Sequence, residues 1–221
     1  GYPTDIYISD SLWQISPFTA TIDSTHIQIA GFNLSSGNQR ISMEGHISQD
    51  SSSILSVDLS NIEMKHWGTY TNKEIPLEGT LTGQAGIEDF YGRRLFFSNL
   101  NIRDFTFKDQ RIGDVAITNQ WDKIGSVFNS EVKITDQNRE SLYAHGFFDP
   151  ATQKMDYTAQ LDHLSLVILE TVIRKTFSNF HGDASGKIKI HGTPQKILLN
   201  GTLEAAYAGL TIDYTRVSYH F

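Results

Sequence analysis

Apolar and polar residues alternate along most of this chain with a period of two. The alternation is clear over 41–47, 55–59, 142–148, 155–161 and 197–203. Because successive side chains of a strand point to opposite faces, this pattern predicts β-strands that each present one apolar face. Such segments recur about every 10–14 residues, which is typical of an antiparallel meander. The pattern therefore predicts an all-β fold.

Short polar segments that favour turns separate the predicted strands. The segments "SSGNQ" (35–39), "DQNRE" (136–140) and "GTPQK" (192–196) predict hairpin connections between their flanking strands. The segment "DPATQK" (149–154) begins with Asp-Pro, which favours a type I turn. Every one of these turns joins strands that are neighbours in sequence, as a meander requires.

One segment departs from the period of two. Between Leu169 and Phe177, apolar residues recur at spacings of three and four, and Ser165 is placed to cap the start of a helix. Gly182 follows as a helix terminator. These signals predict one short helix near residues 166–178.

Glycines and apolar residues recur at an offset close to one hundred residues. Three pairs are each 103 positions apart: Gly79 with Gly182, Gly83 with Gly186, and Ile87 with Ile190. Upstream, the matched pairs are 101 or 102 positions apart, as a change in loop length would produce. The sequence therefore predicts two tandem copies of one unit, at about 22–121 and 125–221. The helical segment has no clear counterpart in 63–76.

The repeat favours an elongated architecture. Repeated strand units that contact only their neighbours build solenoid-like objects, and strand glycines mark bends or close backbone approach. Bends at equivalent glycines would curve the sheet, although ordinary hairpin glycines would give a similar spacing. The prediction is one elongated β domain over residues 1–221, a long antiparallel meander curled into an open trough, with two tandem repeats and one short helix.

The apolar parity of each strand defines the candidate groove of this trough. Its predicted lining residues are Ile41, Met43, Val57, Leu59, Leu142, Phe148, Leu161, Ile188, Ile190, Leu199 and Leu203. The core of a closed β-sandwich would show the same alternation, so the pattern leaves an open trough and a closed sandwich as alternatives.

Composition limits the chemistry. The formal net charge is −7 and no cluster of Lys and Arg appears, which argues against a nucleic-acid partner. The chain has no cysteine, so disulfides and thiolate sites are excluded. The eight histidines show no metal-ligand spacing, and His181 and His191 fall on the polar parity of their strands. Glu88, Asp89 and Asp104 come nearest to paired carboxylates, but the adjacent Glu88 and Asp89 point to opposite faces. We therefore predict no catalytic residues, no cofactor, no metal and no enzymatic activity.

Both ends of the sequence fall in or near strand-like segments. The last stretch, "GLTIDYTRVSYHF", stops without a turn or a tail, and no signal peptide or membrane span is apparent. We therefore expect the sequence to be a piece of a longer protein.

Three segments together carry a family resemblance. They are "IGDVAITNQWD" (112–122), "YAHGFFDPATQKMDYTAQLDHLSL" (143–166) and "FHGDASGKIKIHGTPQKILLNGTLEAA" (180–206). They resemble the C-terminal domain family of TamB, the translocation and assembly module subunit, in its Bacteroidetes-type form. The motif G-x-x-S-G-x-I-x-I-x-G-T-P…L-x-G-x-L runs here from Gly182 to Leu203, and the resemblance covers about residues 13–219. In the first copy, "EDFYGRR" replaces the G-T-P turn.

The resemblance implies an AsmA-like protein of the Gram-negative cell envelope. Members of the family are anchored in the inner membrane by an N-terminal helix and cross the periplasm as an open trough, a "β-taco", with an apolar inner wall. They act with an outer-membrane β-barrel partner in phospholipid transport towards the outer membrane and in outer-membrane protein assembly. The implied ligands are phospholipid acyl chains or nascent outer-membrane strands. The family has no known catalytic residues.

Two other classes of function remain alternatives. A surface or periplasmic β-sandwich that binds glycan or protein would use exposed aromatics such as Trp13, Trp67, Trp121 or Tyr91. A β-solenoid enzyme that acts on polysaccharides would need converging carboxylates, and none is evident in the sequence.

Overall fold

The computed structural model describes residues 4–8, 11–66, 77–171 and 177–220. The strands of the first half are β1 (Thr4–Ile8), β2 (Ser11–Ile15), β3 (Thr19–Ile22), β4 (Ile27–Ser36), β5 (Gln39–Ile47), β6 (Ile54–Glu63), β7 (Leu77–Glu88) and β8 (Leu95–Phe107). Those of the second half are β9 (Gln110–Asp122), β10 (Val127–Asp136), β11 (Arg139–Asp149), β12 (Lys154–Ser165), β13 (Phe177–Thr193), β14 (Lys196–Ile212) and β15 (Val217–His220). Within the described ranges, two short 3₁₀ helices accompany them, η1 (Met64–His66) and η2 (Leu166–Thr171).

The strands form one antiparallel sheet in which nearly every strand pairs with its neighbours in sequence. The order runs from β1 to β15, with β3 branching off as a second partner of β4. Among the described residues, the first and last strands are not paired with each other, so the sheet does not close into a barrel. The prediction of an all-β antiparallel meander curled into an open trough is confirmed.

The predicted hairpins lie where the turn residues indicated. Gly37 and Asn38 connect β4 to β5, and Gln137 and Asn138, both with positive φ, connect β10 to β11. Two consecutive residues with positive φ give the turn whose twist matches that of paired strands. The Asp149 carboxylate accepts hydrogen bonds from the Ala151 and Thr152 amides in the next hairpin.

The helix prediction needs correction. Residues 166–171 form the 3₁₀ helix η2, and the chain is already a β-strand from Phe177 onwards; residues 172–176 lie outside the described ranges. The local apolar spacing was overridden because residues from 177 onwards pair with β14. Within the described ranges, no helix reaches the length and apolarity that a membrane span requires.

The residues matched by the repeat lie in equivalent strands. Gly83 of β7 pairs with Leu59 and Leu100, and Gly186 of β13 pairs with Leu161 and Leu203. A 3₁₀ helix precedes each of these two strands, so η1 is the counterpart of η2 that the sequence did not reveal.

The two units also share a β-bulge. The register shifts between Leu59 and Ile62 in one unit and between Leu161 and Leu164 in the other. Asn61 (φ 53°) donates its amide to Thr82 Oγ1 at 3.1 Å, and His163 (φ 51°) donates its amide to Ser185 Oγ at 2.9 Å. The same irregularity therefore occurs at matched positions of the β6–β7 and β12–β13 pairs.

Candidate binding groove

The apolar face of the sheet is built from rows of residues that face each other across neighbouring strands. Row 1 lies nearest to η1 and η2 and consists of Ile62, Leu81, Ile102, Val115, Ile134, Leu142, Leu161, Gly186 and Leu203. Row 2 lies two residues further along the strands, or three on β6 because of its bulge, and consists of Leu34, Ile41, Leu59, Gly83, Leu100, Ile117, Val132, Ala144, Ala159, Ile188 and Gly201. Both rows are apolar throughout.

The next two rows lie further from the 3₁₀ helices. Row 3 consists of Phe32, Met43, Val57, Ala85, Ser98, Asn119, Ser130, Gly146, Tyr157, Ile190 and Leu199. Row 4 lies at the hairpin ends and includes Leu55 with Ile87, Trp121 with Phe128, Phe148 with Met155, and Gly192 with Ile197. Row 3 therefore changes from apolar to polar and back to apolar across the sheet.

The face is closed near row 1. Phe107, Ile134, Leu161 and Leu164 are buried, with at most 8% of any of them exposed, and Val167 of η2 belongs to the same packed cluster. We call this cluster the packed end. η2 follows β12 directly, and its Leu166 and Ile168 pack against the same cluster.

The face is open towards rows 3 and 4 and along β14. A concave groove of about 550 Å³ is lined by residues of β6 to β10, among them Leu55, Val57, Ile87, Ser98 and Phe128. This cavity touches five successive strands on the apolar face of the sheet. On β14, the exposed fractions are 54% for Ile197 and 64% for Leu199. We call the groove and the exposed part of β14 together the open region.

A polar strip crosses the open region in row 3. Asn119 Nδ2 donates a hydrogen bond to Ser98 Oγ at 2.8 Å, and the Tyr157 hydroxyl lies 3.5 Å from Ser130 Oγ. The indole Nε1 of Trp121 is buried with no hydrogen-bond partner in the described part of the chain. Sequence reasoning missed this strip, although Ser98, Asn119 and Ser130 do occupy the inward parity of their strands.

All eleven predicted groove residues share the apolar face. They divide among the rows as follows: Leu142, Leu161 and Leu203 in row 1; Ile41, Leu59 and Ile188 in row 2; Met43, Val57, Ile190 and Leu199 in row 3; Phe148 in row 4. Leu161 is buried at the packed end, and Leu142 and Ile188 pack against it. Ile41 and Leu59 pack against a second cluster around Trp13, Leu34 and Ile62. Val57 and Leu199 belong to the open region.

The aromatic candidates for a glycan platform are dispersed. Trp13 is 1% exposed in the second cluster, and the Trp121 ring packs edge-on against Phe128 at 4.7 Å between centroids. Tyr91, which is 44% exposed, contacts Phe90 in the β7–β8 turn. Trp67 lies outside the described residues. The three described rings therefore do not share one exposed surface.

The candidate carboxylates have structural contacts. Glu88 Oε1 accepts a hydrogen bond from Lys123 Nζ at 3.3 Å, and Asp104 pairs with Arg111. Asp89 lies in the β7–β8 turn, where hydrogen bonds from the Arg93 amide and guanidinium hold the pKa of its carboxyl below the usual value. Among the described residues, no three His, Cys, Asp or Glu side chains converge as metal ligands.

Comparison with known proteins adds no relative: no family model, curated protein or solved structure matches this chain.

Proposed function

We propose that this chain is a non-enzymatic segment of a TamB-like protein of the Gram-negative envelope, and that its open region binds phospholipid acyl chains in the periplasm. The full-length protein would be anchored in the inner membrane and would act with an outer-membrane β-barrel. The protein would function in phospholipid transport towards the outer membrane, in outer-membrane protein assembly, or in both.

The observation that carries the proposal is an apolar face left uncovered on a folded sheet. A sheet with one apolar face normally buries it against a second layer. Here the described strands form one sheet, and Leu199 and Ile197 remain more than half exposed. Large exposed apolar patches on a folded domain mark sites of interaction.

An acyl chain matches this surface in shape and chemistry. The groove of about 550 Å³ is long enough to cross five strands, and its walls are mainly aliphatic and aromatic side chains. Each methylene that leaves water for such a surface contributes about 0.8 kcal/mol. A chain of a dozen or more methylenes therefore gains affinity from the groove without any specific polar contact.

The same apolar face supports the second cargo class, a nascent strand. Leu199 and Leu203 lie on the apolar face of β14 and are 64% and 43% exposed. An amphipathic strand that packs on this face would place its own apolar parity beside these two leucines.

A photo-crosslinking experiment distinguishes the two faces of the sheet. A photoreactive amino acid is placed at position 199, on the apolar face, or at position 200, on the polar face of the same strand. The chains are then illuminated with phosphatidylethanolamine vesicles. The proposal predicts lipid adducts from position 199 and few from position 200. Equal yields from both positions, or no adduct from 199, would contradict lipid binding at this face.

A charge beside Leu199 provides a matched test. Ile190 pairs directly with Leu199, so Ile190→Asp places a carboxylate beside the crosslinking position, whereas Asn200→Asp adds the same charge on the polar face. Ile190→Asp should reduce the adducts from position 199 while the chain keeps its β-sheet circular dichroism. Asn200→Asp should leave both unchanged. A folded Ile190→Asp variant that crosslinks lipid as the parent does would reject acyl binding at the β14 part of the open region.

A further inference from the structure

Two histidines meet at the end of the sheet, outside the groove. His181 of β13 and His220 of β15 are both in register with Gly209 of the strand between them. His220 Nδ1 lies 3.3 Å from His181 Nε2, and the ring centroids are 5.3 Å apart. Both side chains are exposed to solvent.

Because Gly209 is a glycine, the rings of His181 and His220 can approach each other. The rings approach each other over the backbone of β14, and a Cβ at Gly209 would lie 2.3 Å from His181 Cε1. The register of β13 also shifts between Ser178 and His181, beside Asn179 with its φ of 56°. Bulges of this kind redirect the side chains that follow them.

The hydrogen bond on the far side of His181 fixes its tautomer. His181 Nδ1 lies 3.1 Å from the carbonyl oxygen of Asn179, which can only accept a hydrogen bond. In the neutral ring, Nδ1 therefore carries the proton and Nε2 presents its lone pair towards His220. Histidines that bind metals commonly donate their second ring N–H to a backbone carbonyl in this way.

We propose that His181 Nε2 and His220 Nδ1 bind a divalent transition-metal ion of the Zn²⁺, Cu²⁺ or Ni²⁺ class. Two Zn²⁺–nitrogen bonds of about 2.0–2.1 Å at a tetrahedral angle place the nitrogens about 3.3–3.4 Å apart, close to the separation found here. Imidazole ligands also suit Cu²⁺ and Ni²⁺, whose tetragonal geometry brings the two nitrogens closer together. Water fills the remaining coordination positions, since no third His, Cys, Asp or Glu side chain converges on the pair within the described ranges. On binding, the ring proton of His220 resides on Nε2.

The bound ion would fasten the last strand. Within the described residues, β15 pairs with β14 at four positions, from Gly209 to Ile212. A metal held by His181 and His220 links β15 to β13 across β14. Because the site requires the folded arrangement of three strands, metal binding stabilises that arrangement.

Isothermal titration of the 221-residue chain with ZnCl₂ and NiCl₂ tests the site. His181→Ala and His220→Ala each remove one of the two ligands, so each should weaken the metal affinity by about tenfold or more. Changes outside the coordination sphere already cost about tenfold at the low end. His145→Ala is the matched control, because His145 is also exposed on a strand but stacks on Tyr143. Equal affinity in all three variants, or no saturable binding by the parent, would overturn the proposal.

Two further measurements keep the result interpretable. His181→Gln and His220→Gln replace the imidazoles with polar side chains, and circular dichroism checks that every variant keeps its sheet. Electron paramagnetic resonance of the Cu²⁺-loaded chain should show two coordinating nitrogens in the parent and one in each folded variant. An unchanged nitrogen count in the folded variants would contradict the assignment.

Gly209→Ala should weaken the metal affinity, because the new Cβ displaces the His181 ring.

Discussion

Leu161 and Leu199 have the same side chain and lie on the same face of the same sheet, yet 7% of one and 64% of the other is exposed. They belong to rows 1 and 3 and to strands that both pair with β13. Their local sequences alternate in the same way. The difference therefore comes from what lies over each residue, and alternation alone does not determine it.

The difference in exposure between the two leucines can be traced to the segments around them. Leu161 is packed with Leu164, Val167 and Ala184, which come from the end of β12, from η2 and from β13. β15 pairs with β14 from Gly209 to Ile212, and Leu199 belongs to neither of the two packed clusters of the described residues. One apolar face can thus serve as a core at one place and as a binding surface at another.

A buried charge should produce the largest difference between the two leucines. Leu161→Asp places an unpaired carboxylate in the packed end, at a cost of several kcal/mol, against a total stability of about 5–15 kcal/mol for a domain. We expect this variant to lose its cooperative unfolding transition. Leu199→Asp leaves its carboxylate hydrated and should unfold near the parent temperature. Similar melting temperatures for the two variants would remove the distinction between the packed end and the open region.

Truncation should give a smaller difference in the same direction. Leu161→Ala should lower the free energy of unfolding by about 2–5 kcal/mol, because it removes packed methyl groups and leaves a cavity. Leu199→Ala should change it by less than about 0.5 kcal/mol. Urea unfolding followed by circular dichroism measures both values. A loss at Leu199 as large as that at Leu161 would mean that Leu199 is covered in solution.

Equivalent glycines should respond equally although they lie in different units. Gly83 (φ 145°) and Gly186 (φ 142°) each face a neighbouring carbonyl, so that an added Cβ would lie 2.1 Å from Asn99 O or 2.2 Å from Thr202 O. Each Gly→Ala change should destabilise by at least about 1–3 kcal/mol. Gly37→Ala, at a turn with positive φ but open space, should cost less. Unequal losses at Gly83 and Gly186 in urea unfolding would argue against equivalent units.

Acid should weaken the hairpins at the open side of the sheet. In the β11–β12 hairpin, hydrogen bonds from the Thr152 hydroxyl and from backbone amides lower the pKa of Asp149 below its ordinary value of 3.8. A lowered pKa in the folded state contributes stability above pH 3.8, and this contribution is lost as the pH falls through the folded-state pKa. Asp149→Asn should therefore lose less stability than the parent between pH 7 and pH 3 in urea titrations. Identical losses would show that this turn does not contribute to the acid sensitivity.

The sequence predicted the strands well because their physical signals are local. Alternation places Ile41, Leu142 and Leu199 on one face without any knowledge of strand partners, and turn residues mark the hairpins. The glycine offset also located equivalent positions such as Gly83 and Gly186. These features depend on neighbouring residues and on repeated spacing, which a single sequence contains.

The sequence could not separate core from groove because burial depends on distant segments. The sequence around Leu161 does not indicate that Phe107 is buried in the same cluster. The polar strip arises because Ser98, Asn119 and Ser130 align across β8, β9 and β10, and that alignment requires the strand register. The helical spacing of 165–180 was misleading because strand pairing outweighed it from Phe177 onwards.

Cysteine accessibility tests the central claim most directly, because the chain has no native cysteine and each introduced thiol reports alone. Leu161→Cys, Leu199→Cys and Asn200→Cys are labelled with a water-soluble maleimide, with and without a short-chain phospholipid below its micellar concentration. The account predicts slow labelling at 161, fast labelling at 199 and 200, and lipid protection at 199 alone. Equal labelling at 161 and 199, or equal protection at 199 and 200, would contradict an open apolar face that binds acyl chains.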